Sequence, residues 1–268
     1  MGGFHLRPTK AGKLILSDGG AEEIGCEGGV TMKHFVLIHG AWHGGWCWEG
    51  VIRLLEKAGH TAEAPTMPGH TPADDRSKVT FNSYVEKMIE VLKAQRRPVI
   101  LVGHSSAGFL LQAAASRVSD KIERLVFHNA FILPDGMAQF DLVPPEIAKA
   151  MIEAANASSD NSVPVNEDFV RNVLMAGDTK DVQDALVRRL TPQLLALFTT
   201  KVSTAAFSKL TMPRTVLFCK DDASLPPGAF LGMAQSLGKF DLIEIPGGHE
   251  TLFTKPQAVA RELIRIAG

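Results

Sequence analysis

At 268 residues, 45% of them apolar, the chain is long enough to bury one large core, and α/β architectures of this size commonly form a single domain. Lysine plus arginine (28) nearly balance aspartate plus glutamate (29), and no run of like charge could track a phosphate backbone, so nucleic acid is not an expected partner. Three scattered cysteines, Cys26, Cys47 and Cys219, fit neither a disulfide framework nor a zinc site. No apolar run approaches the roughly 18 residues of a membrane span, so a cytoplasmic protein without a membrane role is expected.

Residues 1–31 are glycine-rich and lack any sustained period, which predicts a poorly structured extension ahead of one domain at 32–268. Glu27-Gly28-Gly29 just before Met32 reads as a translated ribosome-binding sequence, with a short ordered arm as the alternative.

From there the chain alternates. Compact apolar runs at Phe35 to His39, His60 to Pro65, Val99 to Gly103, Ile122 to Ala130, Thr215 to Cys219 and Asp241 to Ile245 predict six short buried strands. Between them Val51, Leu54, Leu55 and Ala58 share one helical face, as do Phe81, Tyr84, Val85, Met88, Ile89 and Leu92. A last helix opens at Pro256 and turns Val259, Leu263 and Ile266 inward. Connections this long imply an α/β fold with a mostly parallel sheet, helices on both faces and ligands at the carboxyl ends of the strands. The stretch from about 134 to 210 shows helical fragments and no persuasive strand, and is expected to form a helical cap over that edge.

The sharpest motif is Gly103-His104-Ser105-Ser106-Ala107-Gly108, where a strand runs into a small-x-Ser-x-small turn and then into an apolar helix. That is the setting of a nucleophile elbow, with alanine at the fifth position where glycine is usual. The alternative for Ser105 is an ordinary helix cap. A serine hydroxyl needs an imidazole to take its proton and a carboxylate to orient that imidazole. Both follow in the expected order after strands: Asp221-Asp222, of which Asp222 is favoured, and then His249 after Gly247-Gly248. Oxyanion donors are expected from the backbone N–H groups of Ala41 and Ser106. Gly40, Trp42, His128 and Phe131 are candidate substrate contacts, and Phe131, Leu142, Met151, Leu174, Met175, Leu186 and Phe198 are candidate lining of an apolar pocket. His39 and His104 are expected to support geometry only. No residue pattern calls for a metal or cofactor.

The string His39-Gly40-Ala41-Trp42-His43-Gly44-Gly45-Trp46, together with the elbow, Val126-Phe127-His128-Asn129 and Gly247-Gly248-His249, resembles the hydroxynitrile lyase and plant methylesterase branch of the α/β-hydrolases and its bacterial carboxylesterase relatives. The resemblance covers nearly everything from residue 33 onward and implies the same sheet, cap, triad and oxyanion donors. It also implies two departures. Lyases of this branch carry threonine where this chain has Gly40, and lysine directly after the catalytic histidine, where this chain has Glu250. Those changes favour ester hydrolysis, and Glu250 is expected to face solvent or pair with the cap, without a catalytic role. The expectation is therefore a cofactor-free serine esterase acting on a small to medium, mainly apolar ester, with a homodimer left open. A lyase or cofactor-independent dioxygenase of the same fold, or a non-catalytic small-molecule binder, are the rival readings.

Overall fold

The computed structural model describes residues 31–268. The expected extension, Cys26 and the Glu27-Gly28-Gly29 segment lie outside the described residues.

In chain order the elements are β1 (His34–Ile38), α1 (Glu49–Lys57), β2 (Thr61–Glu63), α2 (Phe81–Ala94), β3 (Val99–His104), α3 (Ala107–Ala115) and β4 (Ile122–His128). Then come α4 (Pro145–Asn156), β5 (Ser162–Val163), the short α5 (Glu167–Phe169), α6 (Lys180–Val187), β6 (Gln193–Leu194) and α7 (Leu195–Thr199). The chain closes with β7 (Arg214–Cys219), α8 (Ala229–Ala234), β8 (Asp241–Ile245), α9 (Thr251–Thr254) and α10 (Pro256–Ala267).

Six strands form one parallel sheet in the order β2-β1-β3-β4-β7-β8. The central strands are apolar throughout because both faces are covered. Phe35, Leu37, Ile100 and Val102 point into a core with α1 and α10, whereas Val36, Ile38, Val99 and Leu101 point into a core with α2 and α3. The expected strands at 60–65 and 241–245 are edges, not buried centre. The first shortens to Thr61–Glu63, and Leu242 of β8 is 45% exposed, because each has a neighbour on one side only.

The helices begin where their residues predict. Thr80 caps α2 by accepting from the Ser83 N–H while the Ser83 hydroxyl accepts from the Thr80 N–H, and Pro256 stands at the first turn of α10. Between β4 and β7 the chain forms α4 to α7 together with one short antiparallel pair, β5 with β6, that periodicity did not show. Two residues per strand are too few to leave an alternating pattern.

The chain leaves β1 toward β2 on one side and returns through α2 to β3 on the other. The carboxyl ends of β1 and β3 thus flank the point where the direction of winding reverses, the position at which open α/β sheets bind ligands.

Helix α3 packs tightly against the strand end beside it. A Cβ at Gly108 would stand 2.2 Å from the Phe131 carbonyl oxygen and 2.9 Å from the Ala130 Cβ. Glycine to alanine within a helix ordinarily stabilises by about 1 kcal/mol. Here the sign should invert: Gly108→Ala is expected to destabilise by roughly 1–3 kcal/mol, read as a lower denaturation midpoint at unchanged m-value.

Candidate active site

Ser105 stands in the turn between β3 and α3 with φ of +53°, a left-handed conformation uncommon for a residue with a side chain. The turn is closed from several sides. Ser105 donates its N–H to the His128 carbonyl at 3.2 Å, and its own carbonyl accepts from the N–H groups of Gly108 (3.1 Å) and Phe131 (3.0 Å). A Cβ at Gly103 would meet the Leu111 side chain at 2.6 Å, and one at Gly40 would meet the Ser105 Cβ at 2.8 Å. Small residues are required at both places.

His249 follows β8 on a loop that Gly247 turns at φ +128°, where a Cβ would press into Thr251 at 2.2 Å from its Oγ1. Its Nδ1 lies 2.7 Å from Asp222 Oδ2 and 3.2 Å from the Ser224 hydroxyl. Asp222 also accepts the Ser224 N–H at 2.9 Å. The neighbouring Asp221 turns the other way and accepts the Gly247 N–H at 2.9 Å, so the two adjacent acids divide the work of orienting the imidazole and bracing its loop. Burial acts to lower the His249 pKa, but the Asp222 charge and hydrogen bond outweigh it and hold the imidazole above its ordinary value of 6.5. Burial acts to raise Asp222, and the His249 charge and its hydrogen bonds reverse this, leaving the carboxyl below its usual range. The two directions agree, as they should for one pair. Ser105 and His249 face the same cavity, and among the described residues the hydrogen bonds of the His249 ring are those at Nδ1.

The loop after β1 is fixed by an imidazole that the sequence marked only as support. His39 Nδ1–H donates to the Gly40 carbonyl at 2.8 Å, and its Nε2 accepts the Met67 N–H at 2.9 Å. That pattern demands the neutral ring, and burial pushes its pKa down to about 4. The Gly40 carbonyl belongs to the same peptide as the Ala41 N–H, so anchoring one end turns the other. Among the described residues, the N–H groups of Ala41 and Ser106 have no hydrogen-bond acceptor, and both residues line the cavity.

The next residue, Trp42, has φ of +64° and is gripped by the segment between β4 and β7. Its N–H donates to Gln193 Oε1 (3.2 Å), its carbonyl accepts from the Thr191 N–H (2.9 Å), and its indole N–H donates to the Val163 carbonyl (3.2 Å). Gln193 Nε2 in turn donates to the Tyr84 hydroxyl at 2.9 Å. Sequence reasoning passed over Gln193 and Ser224, because neither lies in a motif and each acquires its partner only through the tertiary fold.

The cavity measures about 690 Å³. Ala41, Ser105, Ser106 and His249 form its base, and Phe140, Ile147, Met151, Phe169 and Phe198 cover it. A second chamber of about 510 Å³ lies alongside and shares Trp42, Ile147, Met151 and Phe169 with the first. Of the expected contacts, Trp42, Phe131, Met151, Leu174 and Phe198 line the main cavity, but Gly40, His128, Leu142, Met175 and Leu186 do not. Gly40 is pressed beneath the Ser105 Cβ. His128 is fully buried below the site, its Nδ1–H donating to the Leu217 carbonyl at 3.2 Å and burial lowering its pKa to about 4. Met175 and Leu186 turn into a separate small core with Val170 and Leu174.

Glu250 departs most from expectation. It is 1% exposed, lies at the cavity base and faces His43 of the loop after β1, with Oε2 3.2 Å from His43 Nε2. It does not face solvent, and its ion-pair partner lies in the loop after β1, not in the cap.

No described helix is long and apolar enough to cross a membrane. Residues 35–262 match the alpha/beta hydrolase family. The chain is 28% identical to the carbendazim hydrolyzing esterase of a Nocardioides species, over 87% of this chain and 98% of that protein. It is 31% identical to methylesterase 2 of Arabidopsis thaliana, over 88% and 96% respectively, and 29% identical to the Arabidopsis α-hydroxynitrile lyase, over 87% and 96%. Among solved structures, an extracellular α/β-hydrolase of a Paenibacillus species superposes with a TM-score of 0.82 at 28% identity, over 87% of this chain and 98% of that one. A sheet wound about the β1/β3 crevice, a strained serine at its centre and a family match across most of its length place this chain in the alpha/beta hydrolase family.

Proposed function

We propose that the chain is a carboxylic ester hydrolase in which Ser105, His249 and Asp222 act as a catalytic triad and the Ala41 and Ser106 N–H groups form the oxyanion hole. The observation that carries this reading is the 2.7 Å contact between His249 Nδ1 and Asp222 Oδ2, which holds the imidazole in the tautomer whose Nε2 is free to take a proton from Ser105. Ser105 Oγ adds to the ester carbonyl as its proton passes to His249, and the oxyanion falls between two fixed donors, each worth on the order of 3 kcal/mol. Collapse breaks the bond to the alcohol, which departs with the proton held by His249. Water then gives a proton to His249 as it attacks the acyl-enzyme, and the acid and free Ser105 are restored.

The relatives named as esterases support ester cleavage, and the aromatic and aliphatic cover supports a small to medium, mainly apolar substrate. The lyase reading is less well supported. A side chain at position 40 would collide with Ser105, and position 250 carries a buried anion where a cation would be needed to hold departing cyanide. The free, buried thiols of Cys47 and Cys219 support a reducing, cytoplasmic setting.

A panel of p-nitrophenyl and methyl esters tests the reading. The wild type should turn over at least one, with Ser105→Ala and His249→Ala each lower by roughly three orders of magnitude or more, and the double variant little lower than either. Substantial turnover by Ser105→Ala, with none by His249→Ala, would instead identify a lyase or dioxygenase using the histidine alone. A second comparison separates the adjacent acids: Asp222→Asn should lower kcat by about 10⁴-fold through the wrong imidazole tautomer, and Asp221→Asn far less. Because His249 is held above 6.5, the acid limb of kcat/KM should fall above that pH, with activity rising as the ring loses its proton.

A further inference from the structure

Glu250 is the buried ionisable group for which the triad mechanism has no use. It directly follows His249 and forms the N-cap of α9, and its side chain turns inward. An oxygen of its carboxylate, a ring nitrogen of His249 and a ring nitrogen of His104 all lie within 4.8 Å of one another. Its nearest charge partner is His43, itself 3% exposed.

His43 makes two contacts. Nδ1 lies 2.7 Å from the Ala41 carbonyl, which can only accept, so Nδ1 carries a proton. Nε2 faces a Glu250 carboxylate oxygen at 3.2 Å. The approach is off the line of a good hydrogen bond, since both Glu250 oxygens and His43 Nε2 lack a well-aligned partner. It is a charge contact. Removing either member alone would leave the other buried and uncompensated.

We propose that Glu250 is a positioning residue of the esterase, a second buried carboxylate that steadies the imidazolium formed on His249 during acyl transfer. The inference rests on His249 being the catalytic base. The Glu250 carboxylate and a His249 ring nitrogen lie within 4.8 Å of one another, buried from water, so a positive charge formed on His249 is attracted to the acid. His43 also ties Glu250 to the Ala41 carbonyl, and so to the loop that supplies one oxyanion donor.

The groups that face Glu250 or His249 agree in sign with this role. His104 from β3 and His128 from β4 are held neutral by burial, with His104 donating from Nε2 to the His249 carbonyl at 3.1 Å. Cys47, from the turn before α1, is kept protonated by burial and by the Glu250 charge. Asp178 is raised by burial and by Glu250, opposed by Lys255. Asp222 and Glu250 both raise His249. Burial acts to raise Glu250 itself, but the charges of His43 and His249 prevail and keep it ionised.

The test is Glu250→Gln, which keeps the volume while removing the carboxylate charge. The His249 ring is titrated by NMR in full-length Ser105→Ala protein with and without Glu250→Gln, a readout that needs no substrate. The His249 pKa should fall in the variant, and in the Ser105 enzyme the acid limb of kcat/KM should move to lower pH, with kcat down by roughly 5- to 50-fold and KM within about twofold. An unchanged or higher His249 pKa in a folded variant overturns the proposal. If the glutamine variant does not fold, Glu250→Met serves instead, since it removes the charge at similar volume and leaves the His43 contact with Ala41 in place, and the same fall in the His249 pKa is required of it. Failure of both to fold would assign Glu250 to stability and overturn the proposal as well. Full ester turnover by His249→Ala would sink the esterase mechanism while leaving the His249 titration result intact, so the two failures are distinguishable.

Discussion

The whole site hangs on a backbone held where it would not rest by itself. A left-handed conformation at a residue such as Ser105 costs on the order of 1–3 kcal/mol, and it persists only when its surroundings over-determine it. They do so here through three backbone hydrogen bonds reaching the ends of β4 and α3, and through Gly40, Gly103 and Gly108, at each of which a Cβ would collide with a neighbour. Strand, turn and helix are thereby locked at one angle, and the Ser105 hydroxyl is set at the cavity base at the start of α3. The reversal of winding between β1 and β3 supplies the space, and the loop after β1 fills it from the other side.

Around that point the chemistry depends on which buried groups carry charge. His39, His104 and His128 are kept neutral by burial, and each donates one ring N–H to a named carbonyl. Neutral rings make directional braces without adding positive charge that would lower the proton affinity of His249. Asp222 and Glu250 are the acids facing His249, and in a water-poor interior their effect on an imidazolium far exceeds what the same groups would exert at the surface. An imidazole such as His249 held above its solution pKa is thus the balance of two opposing forces, desolvation and opposite charge, and charge prevails.

What could be read from the residues alone was whatever is local. Central strands appear as continuous apolar runs because both faces are buried, and the elbow appears because small residues must flank the serine at fixed spacing. Asp222 and His249 were legible through order along the chain, each just beyond a strand. The edge strand expected at 60–65 was over-extended, since the partial burial of Thr61–Glu63 leaves residues that mimic a core run, whereas Asp241–Ile245 has the expected bounds and differs only in being partly exposed. The direction of Glu250 was illegible for a different reason. A glutamate is ordinarily exposed, and only the arrival of His43 from a loop some two hundred residues away makes its burial tolerable. His128 could be read as a substrate contact or as a buried, hydrogen-bonded ring, and the structure gives the second, for proximity in sequence to a strand end does not say whether a ring points up into the cavity or down into the sheet.

The cap is more than a cover, because it is bonded to the same loop that offers the Ala41 N–H. Trp42 lends its N–H, carbonyl and indole to Gln193, Thr191 and Val163, and its ring stands in the wall shared by the two chambers. Its left-handed backbone is held by those three contacts, so a displacement of the cap at β5 or β6 must be felt one residue away at the Ala41 N–H. With Ala41 as the proposed oxyanion donor, selection of substrate and stabilisation of the transition state would be joined at one residue. A substrate that fits poorly against Ile147, Met151 and Phe169 would strain the cap, and through Trp42 it would degrade the geometry on which the rate depends. In such an arrangement specificity is expressed in kcat as well as in KM, which is what binding energy used for catalysis, and not for binding alone, requires.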